Sequence, residues 1–193
     1  DIFIFNFNTK KINMITYMPR KLATHSSNLV FFLRKKIPKS WKFKALHNLN
    51  ENDVYKNLCK SKIFLSFSMM EGLGLPPIEA AIAGNKVIGY TGEGGKDFFK
   101  KPIFKEIESG NIKHFCEEIL NAVNNYPKNW DQKTCFQRKQ LIQKYSIINE
   151  EKLIKPNIQI PKISRSSRHR DVNKKYVCIS THSTAQAKYW NYG

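Results

Sequence analysis

No two cysteines in this chain stand near each other. Cys59, Cys116, Cys135 and Cys178 are spread without a CxxC pair, and the five histidines are equally scattered. Zinc sites need ligands in close pairs, so this spacing argues against a bound metal. Separated, reduced thiols fit a cytosolic protein. Long apolar runs are missing too. The longest, Leu29–Leu33, falls far short of the roughly 20 residues a bilayer helix needs. The opening Asp1-Ile2-Phe3-Ile4-Phe5 has neither a basic leader nor a small-residue cleavage site, so no signal peptide is expected. A start at Asp1 rather than Met is what a fragment or processed product would show. Acidic residues are scarce: 15 Asp and Glu stand against 33 Lys and Arg, a formal charge of +18.

Such a charge first suggests nucleic acid or an anionic membrane as partner. Its distribution tempers that. Residues 151–193 hold nine Lys and Arg against two acids, net +7, leaving +11 for residues 1–150. Much of that remainder is single lysines among Asn and Ile, a compositional bias more than a binding face. The Ser164–Arg170 run, with Tyr176 and Tyr189-Trp190 nearby, keeps a basic nucleic-acid-binding module as an alternative. No RNP, KH or helix-turn-helix signature supports it, so no specific nucleic acid is expected. A membrane surface or a lipid-linked acceptor stays among the expected partners, with a cytoplasmic or membrane-peripheral location.

The 193 residues, 41% hydrophobic, suffice for one ordinary α/β domain and a tail. Strand and helix patterns alternate. Lys11–Tyr17 is a β-branched and aromatic run ending at Pro19. Ser26 or Ser27 is placed to cap a helix through Leu29–Lys36, stopped before Pro38. Trp41–Leu46 reads as a strand, and Asn50 three residues before Asp53 opens the next helix. Ile63–Phe67 is the short apolar run of a buried parallel strand. Pro76-Pro77 then starts a helix that Gly84 ends. Lys86–Tyr90 is another strand. Asn111 opens an amphipathic helix with Phe115, Ile119, Leu120 and Val123 on one side, and Lys133–Tyr145 begins another. This alternation predicts a Rossmann-like, doubly wound parallel sheet in an α/β/α sandwich. The expected organisation is a linker or extra strand at 1–10, a Rossmann-like domain at 11–148, and an irregular, disordered basic tail at 149–193.

The chemistry concentrates in Ser66–Gly84, SFSMMEGLGLPPIEAAIAG. A strand leaves the sheet at Ser68, a loop holding Gly72 and Gly74 follows, and a helix begins near Pro76. In an open parallel sheet ligands bind at the carboxyl ends of strands, where this loop must lie. The two glycines let backbone amides face a ligand, and the helix N-terminus favours a diphosphate. Glu71 and Glu79 frame the loop, and a carboxylate accepts paired hydrogen bonds from neighbouring sugar hydroxyls. The plainer alternative is that Glu71 caps the loop and Glu79 complements the helix dipole. A second glycine-rich loop, Tyr90–Asp97, is no P-loop, because Asp97 occupies the Ser/Thr position of GxxxxGK[ST].

The stretch EGLGLPPIEAAIAGNKVIG, with its Glu-x7-Glu spacing, resembles the retaining glycosyltransferases of the GT-B fold, family 4 type. The likeness spans residues 11–125, the carboxyl-terminal half of such an enzyme. It implies a nucleotide-sugar donor, hexosyl transfer with retention, and no metal or other cofactor. Glu71 would contact the transferred sugar, Gly72, Leu73 and Gly74 would present amides to the donor, and Glu79 would hold the nucleotide ribose. Tyr17-Met18-Pro19-Arg20-Lys21 is similar to the family's first loop in this domain, where a basic pair neutralises the leaving diphosphate. Arg20 matches the family arginine. Lys21 is adjacent to it, whereas the family lysine lies several residues further on. Gly94 and Gly95, in a loop bordering the same cleft, are further candidate donor contacts. The resemblance also implies an amino-terminal acceptor-binding domain that these 193 residues do not contain. A fragment with little activity of its own is expected, and a non-catalytic or truncated relative is the alternative.

Overall fold

Apolar and β-branched runs form strands where the sequence predicts them. In the computed structural model the described residues are 9–20, 22–69 and 72–145. The expected linker or extra strand at 1–10 (all but Thr9 and Lys10), the boundary at 148 and the tail at 149–193 lie outside them, as do Lys21 and Glu71.

The order along the chain is β1 (Ile12–Tyr17), α1 (Ala23–Leu33), β2 (Lys42–Ala45), α2 (Glu51–Lys60), β3 (Ser61–Ser68), α3 (Leu75–Ile82), β4 (Lys86–Thr91), β5 (Phe104–Glu106), α4 (Ile112–Asn124) and α5 (Gln132–Lys144). The sheet runs β2-β1-β3-β4-β5, and every pairing is parallel. Alternation along the strands feeds two cores. Ile63, Leu65 and Phe67 of β3 join Ile88 and Tyr90 of β4 under α1 and α4, with Leu29, Leu33, Phe115 and Ile119. Phe64 and Val87 point the other way, to α2, α3 and α5, with Leu58, Ile78, Ile82 and Leu141. The result is the doubly wound, Rossmann-like three-layer sandwich that the sequence predicts.

Three helices start on the expected type of cap. The Asn50 side chain accepts from Asp53 N at 2.8 Å, Asn111 from His114 N at 3.1 Å, and Asp131 from Thr134 N at 2.8 Å. The first helix differs from expectation. It begins at Ala23, and neither Ser26 nor Ser27 caps it. Ser26 is buried inside the helix, where its hydroxyl donates back to Ala23 O at 3.0 Å. Burial of Leu29, Val30 and Leu33 against the sheet carries the helix a turn upstream of the serines. At its other end Lys36 N and Ile37 N both donate to Leu33 O, so Lys36 lies in a closing turn, past the helix. β5 was not expected from the sequence. Its three residues are too few to show a period, and it is a strand because β4 offers it an edge, pairing Val87 with Phe104.

The amino edge of the sheet is closed by a buried polar cluster. Asn85, fully buried, donates to Leu58 O and Ala80 O, each at 2.9 Å, and accepts from the Ser61 hydroxyl. Lys11 Nζ reaches Leu58 O at 3.0 Å and Ala83 O at 2.6 Å, and Arg138 Nε reaches Ile82 O at 2.8 Å. These groups satisfy carbonyls that helices α2 and α3 leave unpaired at their carboxyl ends. Removing the Asn85 side chain would take away three buried hydrogen bonds at once: those to Leu58 O and Ala80 O and the one from the Ser61 hydroxyl. Asn85→Ala should therefore lower the unfolding free energy by about 3 kcal/mol, against about 1 kcal/mol for the exposed cap in Asn50→Ala. Urea unfolding of both variants checks this, and equal losses would show that the cluster adds nothing beyond an ordinary cap.

Candidate functional site

A sheet of order 2-1-3-4-5 reverses its winding between β1 and β3, which opens a crevice at the carboxyl ends of those strands. Tyr17, the last residue of β1, lies opposite Leu65. β3 runs on through Ser66, Phe67 and Ser68, and Ser68 lies opposite Thr91 at the end of β4. Three loops therefore emerge at one edge: Met18–Arg20 after β1, the glycine loop after β3, and Gly92–Lys96 after β4. Of the residues that sequence analysis singles out, Arg20, Gly72, Leu73, Gly74, Glu79, Gly94 and Gly95 are all carried on or next to these loops.

Their surroundings differ. Arg20 is exposed. Gly74 is the N-cap of α3, at φ 61° and ψ 69°, a left-handed conformation that any side chain would strain. A side chain at Gly72 would meet nothing within 4 Å, and Leu73 is exposed. Gly94 has another reason to be glycine, since a Cβ there would collide with the Gly72 carbonyl. The two glycine loops thus lean directly on each other. Gly95 is buried against the Thr91 carbonyl, so its lack of a side chain is already accounted for by packing.

Helix starts in the described residues are of two kinds. α1 and α3, which follow β1 and β3 and flank the crevice, have no side-chain cap and no acid in the first turn. The other three helices all carry an Asn or Asp cap. The positive ends of α1 and α3 are thus left without a side-chain cap or first-turn acid among the described residues where the sheet opens. Pro76 and Pro77, in the first turn of α3, bring no N–H of their own. The free amides at that helix start therefore belong chiefly to the loop and to Leu75.

Glu79 sits in the second turn of α3 and is largely buried. Its carboxylate accepts no hydrogen bond from a described residue. It faces Glu51, in the first turn of α2, whose carboxylate accepts from the Tyr55 hydroxyl at 2.7 Å. Burial first, and the Glu51 charge second, push the Glu79 pKa from 4.5 up to about 7. Burial first, then its bond to Glu51 and the nearby Glu79 charge, raises that of Tyr55. Sequence reasoning missed Glu51 and Tyr55, which lie more than 20 residues from Glu79 and reach it only because α2 and α3 start at the same edge. It also missed His25, in the first turn of α1. His25 Nδ1 and the Tyr90 hydroxyl are buried without a hydrogen-bond partner among the described residues, and their rings meet edge to face at 6.1 Å. The Gly110 backbone lies near enough to Tyr90 to offset part of its burial-raised pKa but outside hydrogen-bond geometry. Two cavities lie elsewhere, one at Arg34–Phe43 and one between Asp97 and Lys144.

Fold and edge together define an α/β protein with a doubly wound, Rossmann-like sheet and a loop-lined crevice at its switch point. Solved structures share this fold. A mutant of S. aureus TarM, in complex with fondaparinux, alpha-GlcNAc-glycerol and UDP, matches with a TM-score of 0.61 at 21% identity over 79% of this chain and 36% of that one. The GtfA/B complex matches at 0.54 and 15% identity over 75% of this chain and 35% of that one. In sequence, the chain is similar to an alpha-1,6-glucosyltransferase of Actinobacillus pleuropneumoniae serotype 7, with 27% identity over 89 residues, 44% of this chain and 26% of that protein. No family model matches. The chain spans about a quarter to a third of the length of these relatives.

The raised Glu79 pKa sets a direction for stability. Between pH 4.5 and about 7 the folded chain holds a proton that the unfolded chain has lost. Stability from this group therefore falls as pH rises through that window and is lowest above it. Glu79→Gln, of the same shape without the charge, should remove this fall. Urea midpoints at pH 5 and pH 8 should converge in the variant and separate in the wild type. Parallel pH curves would mean that Glu79 is not buried unpaired.

Proposed function

We propose that the chain is the donor-binding half of a retaining glycosyltransferase of the GT-B fold, family 4 type. In the whole enzyme it would hold a nucleotide-diphosphate sugar while the sugar passes to an acceptor bound by an amino-terminal domain. The observation that carries this reading is the pair of uncapped helix N-termini, α1 and α3, beside Arg20 and the glycine loop at the switch point. That arrangement suits an anion the size of a diphosphate. The likeness to an alpha-1,6-glucosyltransferase supports the chemical class, and the UDP of the TarM complex supports the type of ligand.

Each residue then has a task. The amides of Gly72, Leu73 and Gly74 face the diphosphate, and Gly94 and Gly95 shape the neighbouring loop that backs it. Glu79, an acceptor lacking donors, takes the two ribose hydroxyls, which would bring its pKa down and release its proton on binding. Arg20, with Lys21 as the second cation, balances the charge that grows on the departing diphosphate as the glycosidic bond breaks. Such positive charge stabilises an oxocarbenium-like transition state without a metal ion. Glu71 holds hydroxyls of the transferred sugar.

Isothermal titration of UDP and GDP into the chain tests the donor site. One of the two should bind, and Glu79→Ala should weaken it by about 1–3 kcal/mol. Near pH 6.5 the binding heat should depend on the buffer's ionisation enthalpy, and less so in Glu79→Gln, because the ribose displaces the carboxyl proton. Wild-type affinity in Glu79→Ala would sink this assignment. The isolated chain should transfer sugar weakly or not at all in a radiolabelled-donor assay, since it lacks the acceptor wall, and robust turnover would contradict the half-cleft reading. Retention is read from the product's anomeric configuration by NMR with a complete enzyme carrying this domain.

A further inference from the structure

The outer face of α1 carries two adjacent, exposed aromatics. Phe31 is 72% exposed and Phe32 54%, and their rings touch edge to face at 5.8 Å. They point away from the core, which takes Ser26, Leu29, Val30 and Leu33 from the opposite side of the helix. Phe31 lies eight residues along α1 from Ala23, about 12 Å from the crevice edge at the rise of an α-helix. The donor site therefore makes no use of it. Two neighbouring phenylalanines left in water on one helix face are a cost that folding alone does not explain.

The charged residues that follow them in the chain have one sign. Arg34, Lys35, Lys36 and Lys39 follow directly, all exposed, and none forms an ion pair with a described acid. Residues 2–50 contain ten Lys and Arg and no Asp or Glu. Where α1 ends, a hollow of about 240 Å³ opens, with Arg34, Lys39 and Lys42 around an apolar floor that includes Ile37 and Trp41. Aromatics for an acyl boundary, cations for phosphates and a basic hollow beside them are the parts of an interfacial membrane contact. Among the described residues no helix is long and apolar enough to cross a membrane. We infer that the Phe31–Phe32 face of α1, with Arg34, Lys35, Lys36 and Lys39, docks on an anionic phospholipid surface. The phenylalanines enter the headgroup boundary, and the hollow receives a lipid phosphate. This placement does not depend on the glycosyl-transfer reading, since it uses none of that site's residues.

Charge alone would draw so basic a chain to anionic vesicles, so the test must separate the aromatics from the cations. The 193-residue chain is sedimented with vesicles of phosphatidylcholine alone and of equal parts phosphatidylcholine and phosphatidylglycerol, at about 150 mM salt, where long-range attraction is screened. The wild type should sediment with the mixed vesicles and not with the neutral ones. Phe31→Ser/Phe32→Ser keeps every charge, and its partition should fall about tenfold. Arg34→Gln/Lys35→Gln/Lys36→Gln should fall as well. Both positions are solvent-facing, so urea midpoints should match the wild type and exclude misfolding as the cause. Unchanged sedimentation of the phenylalanine variant would overturn the inference, as would equal binding to neutral vesicles. Loss of a dimer in that variant, seen by analytical ultracentrifugation without vesicle binding, would overturn it in favour of a second copy of the chain.

Discussion

β3 hydrogen-bonds to β1 along one edge and to β4 along the other, and seven of its eight residues are buried. A strand shut in this way cannot slip by one residue, because its two sets of side chains would exchange cores. Phe64 would enter the α1/α4 layer and Leu65 the α2/α3 layer, each against packing built for the other. That register fixes where Ser68 leaves the sheet. It also fixes where the glycine loop starts, and how α3 returns across the face to place Asn85 and β4.

The two edges of the sheet are built on opposite electrostatic principles. At the amino edge, helix carboxyl ends meet Lys11, Asn85 and Arg138, and their carbonyls are satisfied from within the chain. Burying Lys11 there pulls its pKa down to about 7, a cost accepted for closing two helices with one ammonium group. At the carboxyl edge nothing equivalent among the described residues closes α1 or α3. Their positive ends face the crevice, and Glu79 sits nearby with no hydrogen-bond donor among the described residues. A protein selected for stability alone would cap both helices, as it caps α2, α4 and α5. The difference between the edges is physical support for a ligand at one of them.

On the two proposals made above, function in this chain would be divided between two places on one helix. The start of α1 borders the crevice. Its outer face, further along, carries the exposed phenylalanines and the cations. A single rigid element would then relate the crevice to the lipid-facing surface, with the spacing set by helix geometry rather than by a loop.

Much of this was legible in the sequence. The apolar run at Ile63–Phe67, the Asn50 and Asn111 caps, the Pro76-Pro77 start and the Gly84 stop are local signals, and local chemistry decides them. The start of α1 was misread because Ser26 reads as a cap in one dimension but is buried in three. β5 was missed because it owes its existence to an edge supplied by β4. The glycine loop and Glu79 could be named from spacing, and their resemblance to a family gave them roles. Their neighbours could not be named. Glu51 and Tyr55 beside Glu79, His25 against Tyr90, and Gly94 against Gly72 are contacts between segments far apart in the chain. The sequence by itself determined four of the five strands, the helices that follow them and where the glycine loop falls, because those signals are local. Tertiary structure alone decided that winding reverses between β1 and β3, because strand order depends on long-range pairing, and that reversal brings three loops and two bare helix ends to one edge.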